Sequence, residues 1–284
     1  MRAGRGIDGK DYFHLDLTHL GEDVINKKLA EITSFARTYA GVDPIKEPIP
    51  VQPTCHYMMG GIATDADGRV IVDAKNTAFA GLYAAGECAC VSVHGANRLG
   101  CNALLDTLVF GRRAGIAIKA FIPSATRPKL PARPEKKDAD MIKDLMNSSG
   151  KESSGPIRAE LQDSMMEHVS VFRQSDSLNT ALKKIAQLKK RYQDLSLQDK
   201  GNCFNRDLLD AVELGHLLDL AEVIARSALI REESRGAHSR EDFPERDDKK
   251  FLVHTMARHD AGKGPQIFTK PVTITKFEPK ERKY

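Results

Sequence analysis

The 284 residues include no tryptophan and no run of about 18 apolar residues, so no segment reads as a membrane-spanning helix. The start, MRAGRGIDGKDYFHLDLTHL, lacks the apolar core of a secretory leader. No CxxC occurs. The five cysteines (Cys55, Cys88, Cys90, Cys101, Cys203) are irregularly spaced, and only Cys88-Ala-Cys90 are close. A four-ligand zinc or iron–sulfur site and a secreted disulfide framework are both unsupported, and free thiols in a reducing cytoplasm are expected, with cysteine behaving as a small buried hydrophobe. Net charge is slight: 43 Lys+Arg against 39 Asp+Glu gives +4. No basic stretch is interleaved with aromatics, so nucleic acid is not an expected partner. A GxGxxG fingerprint is also missing, because Gly4-Arg-Gly6 runs into Asp8-Gly9 and follows no strand.

What is present is the composition of a folded chain, 41% hydrophobic and 29% charged. Tyr12–Leu17 alternates like a strand, and a helix is expected from Glu22 to Tyr39 with Val24, Ile25, Leu29, Ile32, Phe35 and Ala36 on one face. Pro44, Pro48 and Pro50 make 41–50 an extended connector. Strands are expected at 69–73 and 81–85, the second buried, followed by a glycine-punctuated loop and a helix over 102–122 that is apolar enough to be buried on most sides. The prolines of 123–134 mark a boundary, and Ser148–Gly155 a flexible break. Three helical patterns follow, at 156–173, 176–195 and 205–232, arranged as an antiparallel bundle, before a tail of strand-like alternation from Phe251.

The chemistry concentrates in 53–106. Gly81-Leu-Tyr-Ala-Ala-Gly-Glu87 reads as a strand running into a glycine turn with a carboxylate at its tip. There Glu87 either grips a cofactor's hydroxyls or is a surface turn acid. The helix beginning at Asn102 aims its free N–H groups and positive dipole end at the same crevice, which favours negative charge such as that of a reduced flavin's pyrimidine edge. Arg98, within Gly95-Ala-Asn-Arg-Leu-Gly100, can fork onto an organic carboxylate, or else cap a helix or pair with an acid. His56 and His94 sit among apolar neighbours, where a satisfied core histidine is the ordinary explanation.

The strings CHYMMGGI (55–62), GLYAAGE (81–87), HGANRLGCNALLD (94–106) and SRGAHSREDFPERDD (234–248) resemble the succinate dehydrogenase/fumarate reductase flavoprotein family, which includes L-aspartate oxidase. The resemblance runs from GRGIDG to Tyr284, and Met58-Met59 with Ala89–His94 look most like succinate dehydrogenase. It implies an α+β chain: the end of a capping domain (1–52), the carboxyl-terminal part of an FAD-binding α/β domain (53–123), a helical domain (124–250) and a short tail (251–284). It further implies that His56 and Arg98 bind the two ends of a dicarboxylate, that Glu87 binds FAD, and that Ala103 and Leu104 contact the flavin. Two departures stand out: Cys101 where Gly or Ser is usual, and Ala103 where Ser is usual. A backbone N–H contact survives Ser to Ala, whereas a hydroxyl contact does not.

Such flavoproteins are about twice this length. Their dinucleotide fingerprint, FAD-linking His and proton-shuttling Arg would lie upstream of Met1, and Arg2 and Arg5 match the later GRG motif instead. No catalytic residue is therefore expected within the chain, which alone is expected neither to bind FAD tightly nor to oxidise succinate. The complete enzyme implied oxidises succinate to fumarate and passes electrons to an iron–sulfur subunit, membrane anchor subunits and quinone, from the cytoplasmic face of the membrane. A fumarate reductase flavoprotein and a non-catalytic subunit-docking module are the alternatives.

Overall fold

The computed structural model describes residues 6–52, 54–260 and 262–279; Arg2, Arg5 and Tyr284 lie outside them. The chain divides into two compact units, Met1–Met58 and Met59–Tyr284. Helices and strands are mixed along it, giving the expected α+β class.

In the first unit β1 (Phe13–Leu15) pairs antiparallel with β2 (Ile49–Val51), placing Phe13 opposite Val51. Pro50 gives no N–H, which a two-stranded pair tolerates. The single helix expected from Glu22 is interrupted. Leu29, at φ −127° and ψ 26°, separates α1 (Glu22–Lys28) from α2 (Ala30–Phe35), and a wider turn, Ala36–Ala40, follows. Ile25 and Ala36 are buried while Val24, Ile32 and Phe35 are exposed, because a unit this small has too little interior to cover the whole face.

The second unit opens with β3 (Ile62–Ala63), which runs parallel beside β6 (Ala89–Cys90). Between them β4 (Arg69–Ile71) and β5 (Ala78–Tyr83) form an antiparallel hairpin. The Asp65 carboxylate fixes the entry to this hairpin by accepting from the backbone N–H groups of Asp67 at 2.9 Å and Arg69 at 3.0 Å. The strand expected to be buried over 81–85 lies instead at 78–83 and is mostly exposed, Phe79 and Leu82 included.

Helix α3 (Asn102–Phe121) has the expected span but not the expected burial. One side packs on the hairpin: Ala114 is buried, Phe121 meets Tyr83 edge-on at 6.4 Å, and Arg113 donates to Asp67 at 2.7 Å. Leu104, Leu105, Leu108, Val109 and Ile116 are exposed, Leu108 by 71%. An all-round apolar helix is covered only by what lies beside it, and among the described residues nothing covers this side.

The main core lies in the helical region. Beyond the prolines, α4 (Lys136–Asn147) is a helix the charged sequence did not suggest; its Leu145 reaches the core. The bundle expected from periodicity is formed by α5 (Ser154–His168), α6 (Ser175–Tyr192) and α7 (Arg206–Ile230). Leu178, Ala181, Ile185 and Leu188 of α6 face Ala211, Leu214, Leu218, Ala221, Ala225 and Ala228 of α7, with spacings of three and four that keep one side of each helix inward. Leu209, Leu217 and Leu220 of α7 are exposed, and alanines take much of the inner side, letting the helices approach closely. The expected flexible break at 148–155 is tied down: Glu152 exchanges backbone hydrogen bonds with Asp194 and Ser196 and pairs with Arg191 at 2.7 Å.

After α7 the chain folds around an arginine cluster. β7 (Phe172–Arg173) lies parallel to β8 (Ser239–Arg240). The Arg240 guanidinium, 1% exposed, donates to the α7 carbonyls of Ala228 and Leu229 and forks onto Asp242 at 2.7 and 2.8 Å. Fully buried Glu233 accepts from Arg235 at 2.8 and 3.0 Å, from the Asp247 N–H at 2.9 Å, and from Arg231. Burial pushes the Glu233 carboxyl up, but the hydrogen bonds from Arg235 and Asp247 outweigh it and hold it below its ordinary value. A short α8 (Asp248–Phe251) leads into the hairpin of β9 (Val253–Arg258) and β10 (Gln266–Pro271), where the strand-like tail was expected.

Candidate functional site

The site residues gather where β5 gives way to β6 and β6 to α3. Residues 86–89 form a tight turn closed by the Ala89 N–H donating to the Gly86 carbonyl at 2.9 Å, with Glu87 exposed at its tip. Gly86 is buried at φ +78°, and a Cβ there would come within 3.0 Å of Thr107 Cγ2, so the Glu87 turn lies against the start of α3.

Arg98 is half-buried in the loop connecting β6 to α3, residues 91–101. Three contacts fix this loop. His94 Nε2 meets Asp106 Oδ2 of α3 at 3.1 Å, both side chains nearly out of solvent. The Ser92 hydroxyl meets His254 Nε2 of β9 at 3.0 Å. Burial, with Lys270 and Arg231 nearby, pushes the His254 imidazole pKa down, so the ring is neutral in this contact. At its middle, the Ala96 carbonyl accepts from the Ala237 N–H at 2.9 Å.

Helix α3 starts without a side-chain cap. Its N-cap residue, Cys101, is left-handed at φ +64°, a conformation glycine adopts without strain. Ala103 is half-buried and Leu104 is 70% exposed at this helix start. An uncapped helix end suits negative charge, a turn carboxylate suits hydroxyls, and an exposed leucine suits a ring face; these donors and acceptors fit a flavin dinucleotide. Glu87, Arg98, Ala103 and Leu104 thus share one region of the second unit. His56 belongs to the first unit and is exposed, outside any helix or strand, rather than in a core.

The cysteines are free, but only Cys90 is shielded, and burial raises its thiol pKa; Cys55, Cys88, Cys101 and Cys203 are exposed rather than buried as small hydrophobes. Sequence reasoning missed Asp106, Ser92 with His254, and the Ala96–Ala237 contact. Each links residues whose partnership no local spacing signals, although the SRGAH string containing Ala237 was already conspicuous.

Residues 1–104 match the model of an FAD binding domain, and residues 158–284 that of the fumarate reductase flavoprotein C-term. The chain is 43% identical to the succinate dehydrogenase flavoprotein subunit of Rickettsia bellii, over 97% of this chain and 47% of that one. It is also 43% identical to the fumarate reductase flavoprotein subunit of a Serratia species, over 100% and 47%. Among solved structures, a mutant FrdA of E. coli quinol fumarate reductase superimposes with TM-score 0.88 at 40% identity, over 97% of this chain and 47% of that one. Sdh1 of Mycobacterium smegmatis in complex with UQ1 gives 0.81 at 33%, over 96% and 45%. The chain spans about half the length of the curated relatives it matches. With two family models matched in order and the same fold throughout, the chain belongs to the succinate dehydrogenase/fumarate reductase flavoprotein family.

Proposed function

We propose that this chain supplies part of the FAD site and the dicarboxylate-gripping residues of a succinate dehydrogenase flavoprotein. The observation that carries this reading is the Glu87 turn packed against the uncapped start of α3, with Arg98 in the loop that joins them. Glu87 accepts hydrogen bonds from the cofactor's hydroxyls. The Ala103 and Leu104 backbone at the α3 start stabilises negative charge at the flavin's pyrimidine edge, a role that needs no hydroxyl at 103. Arg98 forks onto one carboxylate of a four-carbon dicarboxylate, and His56 is assigned to the dicarboxylate by the family strings alone. FAD, when bound, supplies the hydride acceptor.

Succinate oxidation is favoured over fumarate reduction by the Met58-Met59 and Ala89–His94 strings, although relatives bearing both names are equally similar. In the assembled enzyme electrons pass to an iron–sulfur subunit and through membrane anchor subunits to quinone. Quinone as the terminal partner is supported by similar structures that hold menaquinol or UQ1. Among the described residues no helix is long and apolar enough to cross a membrane, so attachment at the cytoplasmic face would be through those partners. The exposed leucines of α3 favour a subordinate reading, that the chain also docks a further polypeptide.

Titrating FAD and then fumarate into the chain tests the assignment. Glu87→Gln should weaken FAD by roughly tenfold or more, the loss of a charge-assisted hydrogen bond, while leaving fumarate binding little changed. Arg98→Ala should do the reverse. Equal losses in both titrations, or none, would refute the roles.

A further inference from the structure

We infer that Gly236 is a positioning residue for the Arg98 loop, acting through the turn Arg235–His238. This turn closes on itself, with the Arg235 N–H donating to the His238 carbonyl at 2.7 Å and the His238 N–H returning to Arg235 at 3.0 Å. Its second residue is Gly236, left-handed at φ +57°. A Cβ there would lie 2.7 Å from both the carbonyl carbon and oxygen of Ala96 and 2.9 Å from its Cβ. The obstacle is backbone, which cannot swing aside as a flexible side chain does. Beside it the Ala237 N–H holds the Ala96 carbonyl at 2.9 Å.

The turn is itself held from behind. Arg235 is locked onto Glu233 and reaches Asp248 at 2.6 Å. His238 accepts from Arg173 at 2.7 Å and donates to the Arg231 carbonyl at 3.0 Å. A side chain at 236 is therefore expected to displace the Ala96 backbone, two residues from Arg98. The helical region thus sets the position of an arginine it does not otherwise carry. The consequence for ligand rests on the proposed role of Arg98; the brace itself does not.

The test compares Gly236→Ala with Gly262→Ala in the full chain. Gly262 is also left-handed, at φ +91°, but a Cβ there meets open space, so it reproduces the backbone strain without the clash. Hydrogen exchange of residues 93–100 should become at least about tenfold faster in Gly236→Ala and stay unchanged in Gly262→Ala, with α6 and α7 equally protected in both. Fumarate affinity should fall about tenfold in Gly236→Ala only. Unaltered loop exchange in Gly236→Ala overturns the inference. If the loop loosens while the unsubstituted chain binds no fumarate, the brace stands and the dicarboxylate reading fails. If fumarate binds and the loop does not respond, the brace fails alone. Should Gly236→Ala not fold, exchange of the unsubstituted chain in low urea decides: residues 93–100 and 235–238 should open together, and independent opening overturns the inference.

Discussion

Acidifying the protein from pH 7 to pH 5 should destabilise the second unit through one histidine, His238. Its Nδ1 accepts from Arg173 and its Nε2–H donates to a carbonyl, so the neutral ring already satisfies both neighbours. A proton on Nδ1 would face the Arg173 donor, close to Arg231 and Arg240. Burial first, and then the charges of these three arginines, push the pKa down from 6.5 to about 4. A depressed histidine pKa means that the unfolded chain binds the proton first, so stability is full above about 6.5 and is lost as pH falls towards 4. The gap corresponds to about 3 kcal/mol in full and about 2 kcal/mol at pH 5. The lowered carboxylates of this region, Glu233, Asp242 and Asp248, lose their contribution only below their unfolded values of 4.5 or less, so they leave the pH 7 to 5 window to histidine. His254, shifted the same way, adds to the slope. Thermal melts should fall by about 4–8 °C between pH 7 and pH 5. His238→Gln should remove most of the dependence. Equal slopes in both proteins would refute the reasoning.

Two further substitutions have signs fixed by the structure. Cys101→Gly should stabilise the chain by up to about 1 kcal/mol in urea denaturation, since a non-glycine residue at φ +64° is strained; no gain would mean the Cys101 backbone is not left-handed. Arg240→Ala should cost about 3–5 kcal/mol by the same assay, because it leaves Asp242 and the α7 carbonyls without their buried donor, and a loss under about 1 kcal/mol would contradict that role.

The long helices were legible because periodicity over many residues is hard to mistake: α3, α6 and α7 fall close to their expected ends. Helix α4 was not, because a charged segment after a proline run shows only Met141, Ile142, Leu145 and Met146 as large apolar residues. Burial was less legible than helicity. The apolar face of α3 is exposed, whereas alanines of α7 that looked unremarkable form its inner stripe. The candidate site residues were found through family strings rather than local chemistry, and the structure adds the placement of Glu87 beside α3. The contacts that fix the Arg98 loop join Ser92 to His254 and Ala96 to Ala237. Sequence spacing holds no trace of such pairings, since only the tertiary fold brings these residues together.

The most direct test of the account follows the arginine side-chain Nε–H signals by NMR while fumarate is added to the chain. The Arg98 signal should shift saturably and ahead of the others, and Arg98→Ala should remove it together with binding. Shifts spread over exposed arginines such as Arg112, Arg127 and Arg133, with Arg98 unmoved, would contradict the assignment of this loop as the dicarboxylate grip.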